Sequence, residues 1–432
     1  MTFSRLKHVW LVAAHFPPSN LASVHRARLF ANCLIHEGWD VTVLTVNPQF
    51  YEERLDPDLE KLVHPAVRVV RVGAIPAGWT RPFGLGDIGI RAFLSMREAL
   101  NEAITKGKVD LVHITIPSNY QALLGAALSR TSRVPYIIDY IDPWVLERND
   151  IYPFLSKESM SLELARILEP IAVQHASGIL GITESYYAGA VSRNPHLRHI
   201  PKRALQYGMS EWDFEQAALN PVHPRRLDPR GRSPQLVYAG AFLPKAVLPM
   251  RGLLKGMAKV NRAERKDDPV RLLCLGTGVS AKGGEQVRQI AEDVGAGEWL
   301  TEFPERHDYL EILATLKAAD GIVIVGSTEP HYSPSKLFQA VLARRPVLAL
   351  LHEKSEAAQI MTQTNAGVAV LFDAHPNENH LSRQCSRVLQ HWPSSSPEVR
   401  WEAFRPYLAE SIAHELASFY DEVLKFHAEN VS

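Results

Sequence analysis

The feature that most limits how this chain can fold is a repeated rhythm. A short apolar run is followed by a polar or Gly/Pro-rich loop, and then by an amphipathic stretch. Runs at 8–14, 41–46, 67–72, 109–116, 135–140 and 178–182 are strand-length and mostly apolar. Strands of that kind are covered on both faces, which is the signature of a parallel sheet built from βα units. The first unit shows the pattern in full. A strand over 8–14 runs into the loop Pro17-Pro18-Ser19-Asn20. A helix over 23–37 follows, with Ala27, Phe30, Ala31 and Leu34 on one face and Gly38 placed to end it.

The rhythm stops between about 208 and 235, where Pro and Arg crowd a stretch without periodicity. It restarts with apolar runs at 236–239, 270–275, 321–325, 347–351 and 368–371. The expected organisation is an N-terminal α/β domain over 1–205, a linker over 206–235 and a second α/β domain over 236–400. A closing helical segment over 401–432 completes the chain. At 432 residues and 46% hydrophobic composition, each domain can build a real core.

Lys+Arg and Asp+Glu number 47 each. That balance excludes a dedicated nucleic-acid binder, which needs a basic excess to neutralise phosphates. Three cysteines, Cys33, Cys274 and Cys385, make neither a disulfide framework nor a zinc knuckle, and they fit a reducing cytosol. No run approaches the roughly 18–20 apolar residues that cross a bilayer. The apolar run near the N-terminus is too short for a signal core and meets Pro17-Pro18, so it reads as a first buried strand.

Several familiar sites are absent. The first βα turn lacks Gly-x-Gly-x-x-Gly. The GVSAKGG stretch at 278–284 resembles a phosphate loop, but its lysine precedes the second glycine and no Ser/Thr follows to hold magnesium. There is no Gly-x-Ser-x-Gly elbow and no His-Glu-x-x-His. The 18 histidines are scattered, and no protein-bound metal is expected.

The most informative stretch is 321–351, GIVIVGSTEPHYSPSKLFQAVLARRPVLALL. A buried strand leads to a loop, and a helix starts at Ser333-Pro334, a good N-cap followed by a good first residue. A second buried strand follows. The helix start falls at the C-terminal edge of a parallel sheet, where open α/β domains bind ligands, and Lys336 in its first turn suits a phosphate. A plain surface cap with a solvated lysine has the same sequence pattern.

This stretch resembles the GT-B glycosyltransferases, in particular the family-4-like retaining group. That family carries a Glu, seven residues and a second Glu. Here His331 stands at the first position and Gln339 at the second, and Ser333-Pro334-Ser335-Lys336-Leu337 between them matches a common form of the motif. FPPSNLASVHR at 16–26 and EGWDVTVLT at 37–45 resemble the family's opening loop and second strand. VDLVHITIP at 109–117, the Asp142-Pro143-Trp144 turn and YGMSEWDF at 207–214 follow in family order. Val237-Tyr238-Ala239-Gly240 with Lys245 resembles the start of the second domain, with Ala241 where the family has arginine.

The resemblance implies a GT-B fold: two Rossmann-like, doubly wound parallel-sheet domains facing a central cleft, with the closing helix over 401–432 crossing back to the N-terminal domain. It implies retaining transfer of a sugar from a nucleotide-sugar donor to a glycan or lipid-linked acceptor, without an essential metal, in cell-surface polysaccharide assembly. On the donor side it points to Gly240, Lys245, Ser333, Ser335, Lys336, Leu337 and Gln339; apart from the resemblance, Glu305 and Arg306, after Phe303-Pro304, are either a lining of the base pocket or a surface turn. His331 is expected at the sugar, Gln339 at the ribose, and Lys336 and Lys245 together at the diphosphate. The acceptor side would use Asn20, Ser23, His25, Arg26, His113 and Thr115. Asp142 would orient or deprotonate an acceptor hydroxyl, an assignment that stands beside a simple Asx turn before Pro143.

The basic clusters at 193–203 and 223–232 are either solvated loops or a contact with an anionic membrane surface. A cytoplasmic protein, with or without contact at the inner face of the cell membrane, fits either reading. Two other functions stay open: a GT-B scaffold or partner subunit that has lost catalysis, which the missing Glu pair motivates, and a nucleotide-sugar epimerase.

Overall fold

The computed structural model describes residues 5–146, 156–219, 227, 233–278, 285–329, 336–392 and 398–430. The chain divides into two compact units. Unit 1 comprises Met1–Gly208 with Ala409–Ser432, and unit 2 comprises Met209–Leu408.

Unit 1 is built on a seven-stranded sheet in the order β3-β2-β1-β4-β5-β6-β7. The strands are β1 Lys7–Val12, β2 Trp39–Val46, β3 Arg68–Val72, β4 Leu111–Ile116, β5 Tyr136–Tyr140, β6 Gly178–Gly181 and β7 Lys202–Ala204. All neighbours pair in parallel, with Val9 opposite both Val41 and Leu111. Unit 2 holds a six-stranded parallel sheet in the order β10-β9-β8-β11-β12-β13. Its strands are β8 Gln235–Ala239, β9 Arg271–Leu275, β10 Leu300–Phe303, β11 Gly321–Val325, β12 Val347–His352 and β13 Val368–Phe372. In each sheet the strand order reverses beside the first strand, between β1 and β4 in one and between β8 and β11 in the other. Open α/β sheets bind ligands just outside the strand C-termini at such points.

The non-alternating runs are explained by cover on both faces. Trp10, Val12, Leu44, Ile114 and Ile138 pack with Met96 and Leu100 on one side of the first sheet. Val9, Leu11, Val41, Val43, Leu111 and Ile137 pack with Phe30 and Leu34 on the other. That second face is closed by the helix Ala22–His36 and the final helix Ala409–Asn430, which buries Ile412, Leu416, Phe419, Tyr420 and Val423 at helical spacing. Each such side chain contributes about 1.5–3 kcal/mol through burial. Gly38, at φ +79°, donates its N–H to Ile35 O at 3.2 Å and turns the chain out of its helix. In unit 2, Gly252 and Gly256 let the helix Val247–Ala263 approach the helix Glu378–Gln390. A Cβ at 252 would lie 2.6 Å from Leu381 Cβ, and one at 256 would lie 2.7 Å from Ser382 O.

Three features differ from the sequence reading. The strands β7 and β10 carry no long apolar run, because both are short edge strands: β10 alternates buried and exposed positions, and none of Lys202, Arg203 and Ala204 is buried. The span read as a linker, 206–235, begins instead with the helix Glu211–Leu219, whose Asp213 accepts a 2.8 Å hydrogen bond from the buried hydroxyl of Tyr309. The closing segment is not one block from 401. Trp401–Phe404 belongs to unit 2, and only the helix from Ala409 packs on unit 1.

Candidate functional site

At the reversal point of unit 2, β8 ends in a backbone that only glycine tolerates well. Gly240 sits at φ +127° and donates its N–H to Leu275 O at 2.7 Å. A Cβ there would lie 1.8 Å from Lys336 Cε, so the missing side chain is the space that the lysine fills. Lys336, at the start of the described helix Lys336–Leu342, donates to Ala241 O at 3.3 Å, and its Nζ lies 5.5 Å from the centre of the Tyr238 ring. The residue keeps partial solvent contact, but protein surrounds the ammonium. Burial, and then the positive charge of Arg306, lower it to about 8. Arg306 stands on the loop after β10, which Gly278 joins by donating to Pro304 O at 2.9 Å. The cation that shares the field of Lys336 is therefore Arg306.

The sequence reading sets Lys245 beside Lys336 at the diphosphate. Lys245 pairs with Glu329, whose carboxylate offsets the charge that a phosphate would need. Leu337 is 1% exposed and belongs to the core, so its side chain is unavailable to a ligand. Gln339 is half-buried one turn along the helix from Lys336, and Glu305 is exposed beside Arg306 with its Oε1 3.8 Å from His307 Nε2. His331, Ser333 and Ser335 lie outside the described residues.

In unit 1, three of the expected acceptor residues are structural. Arg26 is fully buried and grips Asp139 with two hydrogen bonds, Nε to Oδ2 at 2.8 Å and Nη2 to Oδ1 at 3.1 Å. Its Nη1 donates to the carbonyls of Leu205 and Gln206 at 2.7 and 2.9 Å. His113 lies 3.4 Å from Asp139 Oδ2, and its Nδ1 bonds the Tyr420 hydroxyl at 2.5 Å. Burial works against the Asp139 charge, but Arg26 and His113 hold its carboxyl down to about 2, while burial lowers His113. Thr115 donates to Val12 O at 3.1 Å and is also buried. Arg26, His113 and Thr115 thus anchor strands and the closing helix, and an acceptor from solution does not reach them. Asn20 and His25 pair with each other at 2.8 Å, and Asn20 also reaches Asp56 at 3.3 Å.

Ser23 belongs to a different place, a pocket of about 260 Å³ outside the C-terminal ends of β1, β2 and β4. His15, Phe50, Glu53, Asp87, Arg91 and Ser118 line it as well. His15 Nδ1 meets Glu53 Oε1 at 2.8 Å, and the Ser19 hydroxyl donates to the same carboxylate. Burial opposes the charge on Glu53, yet these bonds hold its carboxyl down to about 2. The sequence reading missed this group. The one available signal was His15, which stands just past the first strand.

Asp142 lies just past the end of β5, open to solvent, while the surrounding protein raises its carboxyl to about 6. The buried Trp144 packs edge-on to Tyr120 at 6.3 Å and pins that turn. Two cations of 193–203 are paired internally: Arg193 with Glu169 at 2.7 Å, and Arg203 with Glu415 and Glu422 at 2.9 and 2.8 Å. The second basic cluster, 223–232, lies outside the described residues apart from Leu227. No helix among the described residues is long and apolar enough to cross a membrane.

Residues 23–200 match the glycosyl transferase 4-like domain family. No curated protein matches by sequence. Among solved structures, the chain is similar to sucrose-phosphate synthase from Thermosynechococcus elongatus, at 17% identity over 97% of this chain and 99% of that chain, with a TM-score of 0.63. It is similar to HepE from Anabaena, solved with UDP and glucose, at 12% identity over 96% and 99%, with a TM-score of 0.61. It is also similar to trehalose 6-phosphate synthase from Burkholderia multivorans, at 9% identity over 99% and 98%, with a TM-score of 0.63. Residues 23–200 of unit 1 thus match a glycosyl transferase 4-like domain, and the chain shares the GT-B fold of these structures.

Proposed function

We propose that the chain transfers a sugar, with retention, from a nucleotide-sugar donor held by unit 2 to a glycan or lipid-linked acceptor held by unit 1. Cell-surface polysaccharide assembly, supplied from a cytoplasmic donor, is the setting. The observation that carries this reading is Lys336, held over Gly240 at the strand-order reversal of the second sheet with Arg306 in its field. HepE, solved with UDP and glucose, supports a nucleotide-sugar donor, and the family-4-like resemblance supports retention.

Breaking the sugar–phosphate bond leaves charge growing on the diphosphate. A lysine and an arginine fixed before the reaction stabilise that charge without reorganising. On this reading no metal is essential, so activity should persist in EDTA. Gln339 offers one amide oxygen and one NH₂ group to ribose hydroxyls, and Asp142 is placed to orient an acceptor hydroxyl. The test is release of nucleoside diphosphate from a donor panel. Lys336→Ala should lower turnover more than it weakens donor binding. A Lys336→Ala protein with unchanged binding and transfer would sink the assignment.

A second reading, a scaffold that binds nucleotide without turnover, draws on His331 and Gln339 in place of two glutamates and on Ala241 in place of arginine. Nucleotide binding with no transfer or hydrolysis across the panel would favour it.

A further inference from the structure

We propose that unit 1 carries a second ligand site, at the N-terminal end of its sheet, which takes an organic monoanion: a carboxylate borne on an apolar body. The site lies at the opposite end of the strands from the edge where open α/β sheets bind their ligands, and it stands apart from the transfer reaction.

A cavity of about 410 Å³, within the size range of ligand pockets, is built there by three neighbouring strands. His8 and Trp10 come from β1, Asp40 and Thr42 from β2, and Arg68 and Val70 from β3. Alternate residues of a strand share a face, so each pair points the same way. The register aligns them across the sheet: His8 stands opposite Asp40, Trp10 opposite Thr42, and Thr42 opposite Arg68. All six fall toward the starts of their strands. Arg5 and Leu6, just before β1, and Lys108, just before β4, close the rim.

The class of ligand follows from which polar groups are already used. His8 Nε2 and Thr42 Oγ1 bond each other at 2.8 Å, and Arg68 Nε donates to the same hydroxyl at 3.3 Å. Trp10 differs: it is 7% exposed, and its buried Nε1 has no hydrogen-bond partner. A buried N–H without an acceptor costs free energy, and a ligand oxygen in the cavity removes that cost. Lys108 is the second unspent group. It is exposed at the rim, and among the described residues nothing pairs with its ammonium. The charge count is short. Asp40 offsets Arg68, Asp110 offsets Arg5 at 2.7 Å, and burial lowers His8, which stays neutral at pH 7. Lys108 therefore leaves a surplus of one positive charge. A carboxylate matches it, whereas a phosphate monoester, at about −1.5 to −2 near neutral pH, exceeds it. The carboxylate would accept from the indole N–H and meet the ammonium, while Leu6, Val70 and the Trp10 ring cover an apolar body.

The test follows the indole N–H signal of Trp10 in the full chain, ¹⁵N-labelled at tryptophan and assigned by its loss in Trp10→Phe. The probes are phenylacetate, phenylacetamide, acetate and phenyl phosphate. Phenylacetate should shift that signal and saturate, and the other three should bind about tenfold more weakly or worse. Lys108→Gln, at an exposed rim position, should weaken phenylacetate about tenfold and leave phenylacetamide unchanged. A Trp10 signal that phenylacetate does not move leaves the cavity to water alone and overturns the proposal. So does an amide that binds as tightly as the carboxylate, or a Lys108→Gln protein with unchanged affinity for phenylacetate. UDP and phenylacetate should bind together; displacement of one by the other would put the probe in a nucleotide site and overturn the proposal as well.

Discussion

Lys336 occupies the volume that a side chain on residue 240 would need: a Cβ there would come within 1.8 Å of its Cε and 2.2 Å of its Nζ. The two positions are therefore one structural element. Gly240→Ala should displace the ammonium and strain a backbone at φ +127°, and nucleoside diphosphate affinity should fall about tenfold or more. Lys336→Ala removes a charge-assisted bond of about 1.5–3 kcal/mol, which is ten- to hundredfold in affinity. The double variant should lose no more than Lys336→Ala alone, since both changes break the same contact. Additive losses in a titration series would show that the residues act separately.

The lowered lysine gives a pH signature. Its ammonium titrates at about 8 in the free protein, and an arriving diphosphate favours the charged form. Binding near pH 8–9 should therefore take up a proton, and affinity should decline as pH rises past 8, above the phosphate's own titration near 6. Calorimetry in two buffers of different ionisation enthalpy reads the proton directly, and Lys336→Met should abolish it. The sign for stability without ligand is opposite to that of an ion pair. The folded value lies below the ordinary lysine value near 10.4, so the unfolded chain binds more protons between about 8 and 10.4, and stability rises with pH across that window.

The Arg26–Asp139 pair makes unit 1 sensitive to acid. Both side chains are fully buried, so Asp139→Asn leaves an uncompensated guanidinium and should cost about 3–5 kcal/mol. In the intact protein the Asp139 carboxyl titrates at about 2, against about 3.9 when unfolded. Its stabilisation, about 2–3 kcal/mol, is present above pH 4 and is lost as pH falls toward 2. Urea midpoints measured from pH 5 to pH 2 should drop, and Asp139→Asn should flatten that part of the profile. An unchanged slope in the variant would move the acid sensitivity elsewhere.

These residues also show what one sequence can and cannot reveal. Strands such as β11 and β12 are legible because burial on both faces demands unbroken apolar runs, and β7 and β10 are not, because β7 buries no side chain and β10 alternates buried and exposed positions. Arg26 looked like a site residue because it follows the first βα loop, and His113 and Thr115 because they lie near a strand end. Yet His113 and Thr115, two apart on β4, are both fully enclosed, and His113 meets Tyr420 from the closing helix, a contact no local pattern announces. The pocket residues lie two or more positions past the strands, and the His15–Glu53 pair joins loops 38 residues apart. The sequence names Lys336, Gly240 and Arg306 alike, but that Gly240 leaves the space Lys336 fills is visible only in the fold.

The basic stretch at 193–203 yields the last prediction. A membrane contact needs cations free to meet lipid headgroups, each worth about 1 kcal/mol near an anionic surface. Lys202 Nζ instead donates to the carbonyls of Leu197, Arg198 and Ile200 at 3.0, 3.0 and 2.7 Å. Arg203 bridges Glu415 and Glu422, which lie seven residues apart on the closing helix. Exposed pairs of this kind contribute about 0.2–1 kcal/mol each. Arg203→Glu loses both and adds repulsion with two glutamates, so about 1–2 kcal/mol of stability should go, a fall in Tm of roughly 2–8 °C. Sedimentation with anionic vesicles should not change. The opposite result, an unchanged Tm with weaker and salt-sensitive vesicle binding, would show that these cations serve a membrane rather than the helix that closes unit 1.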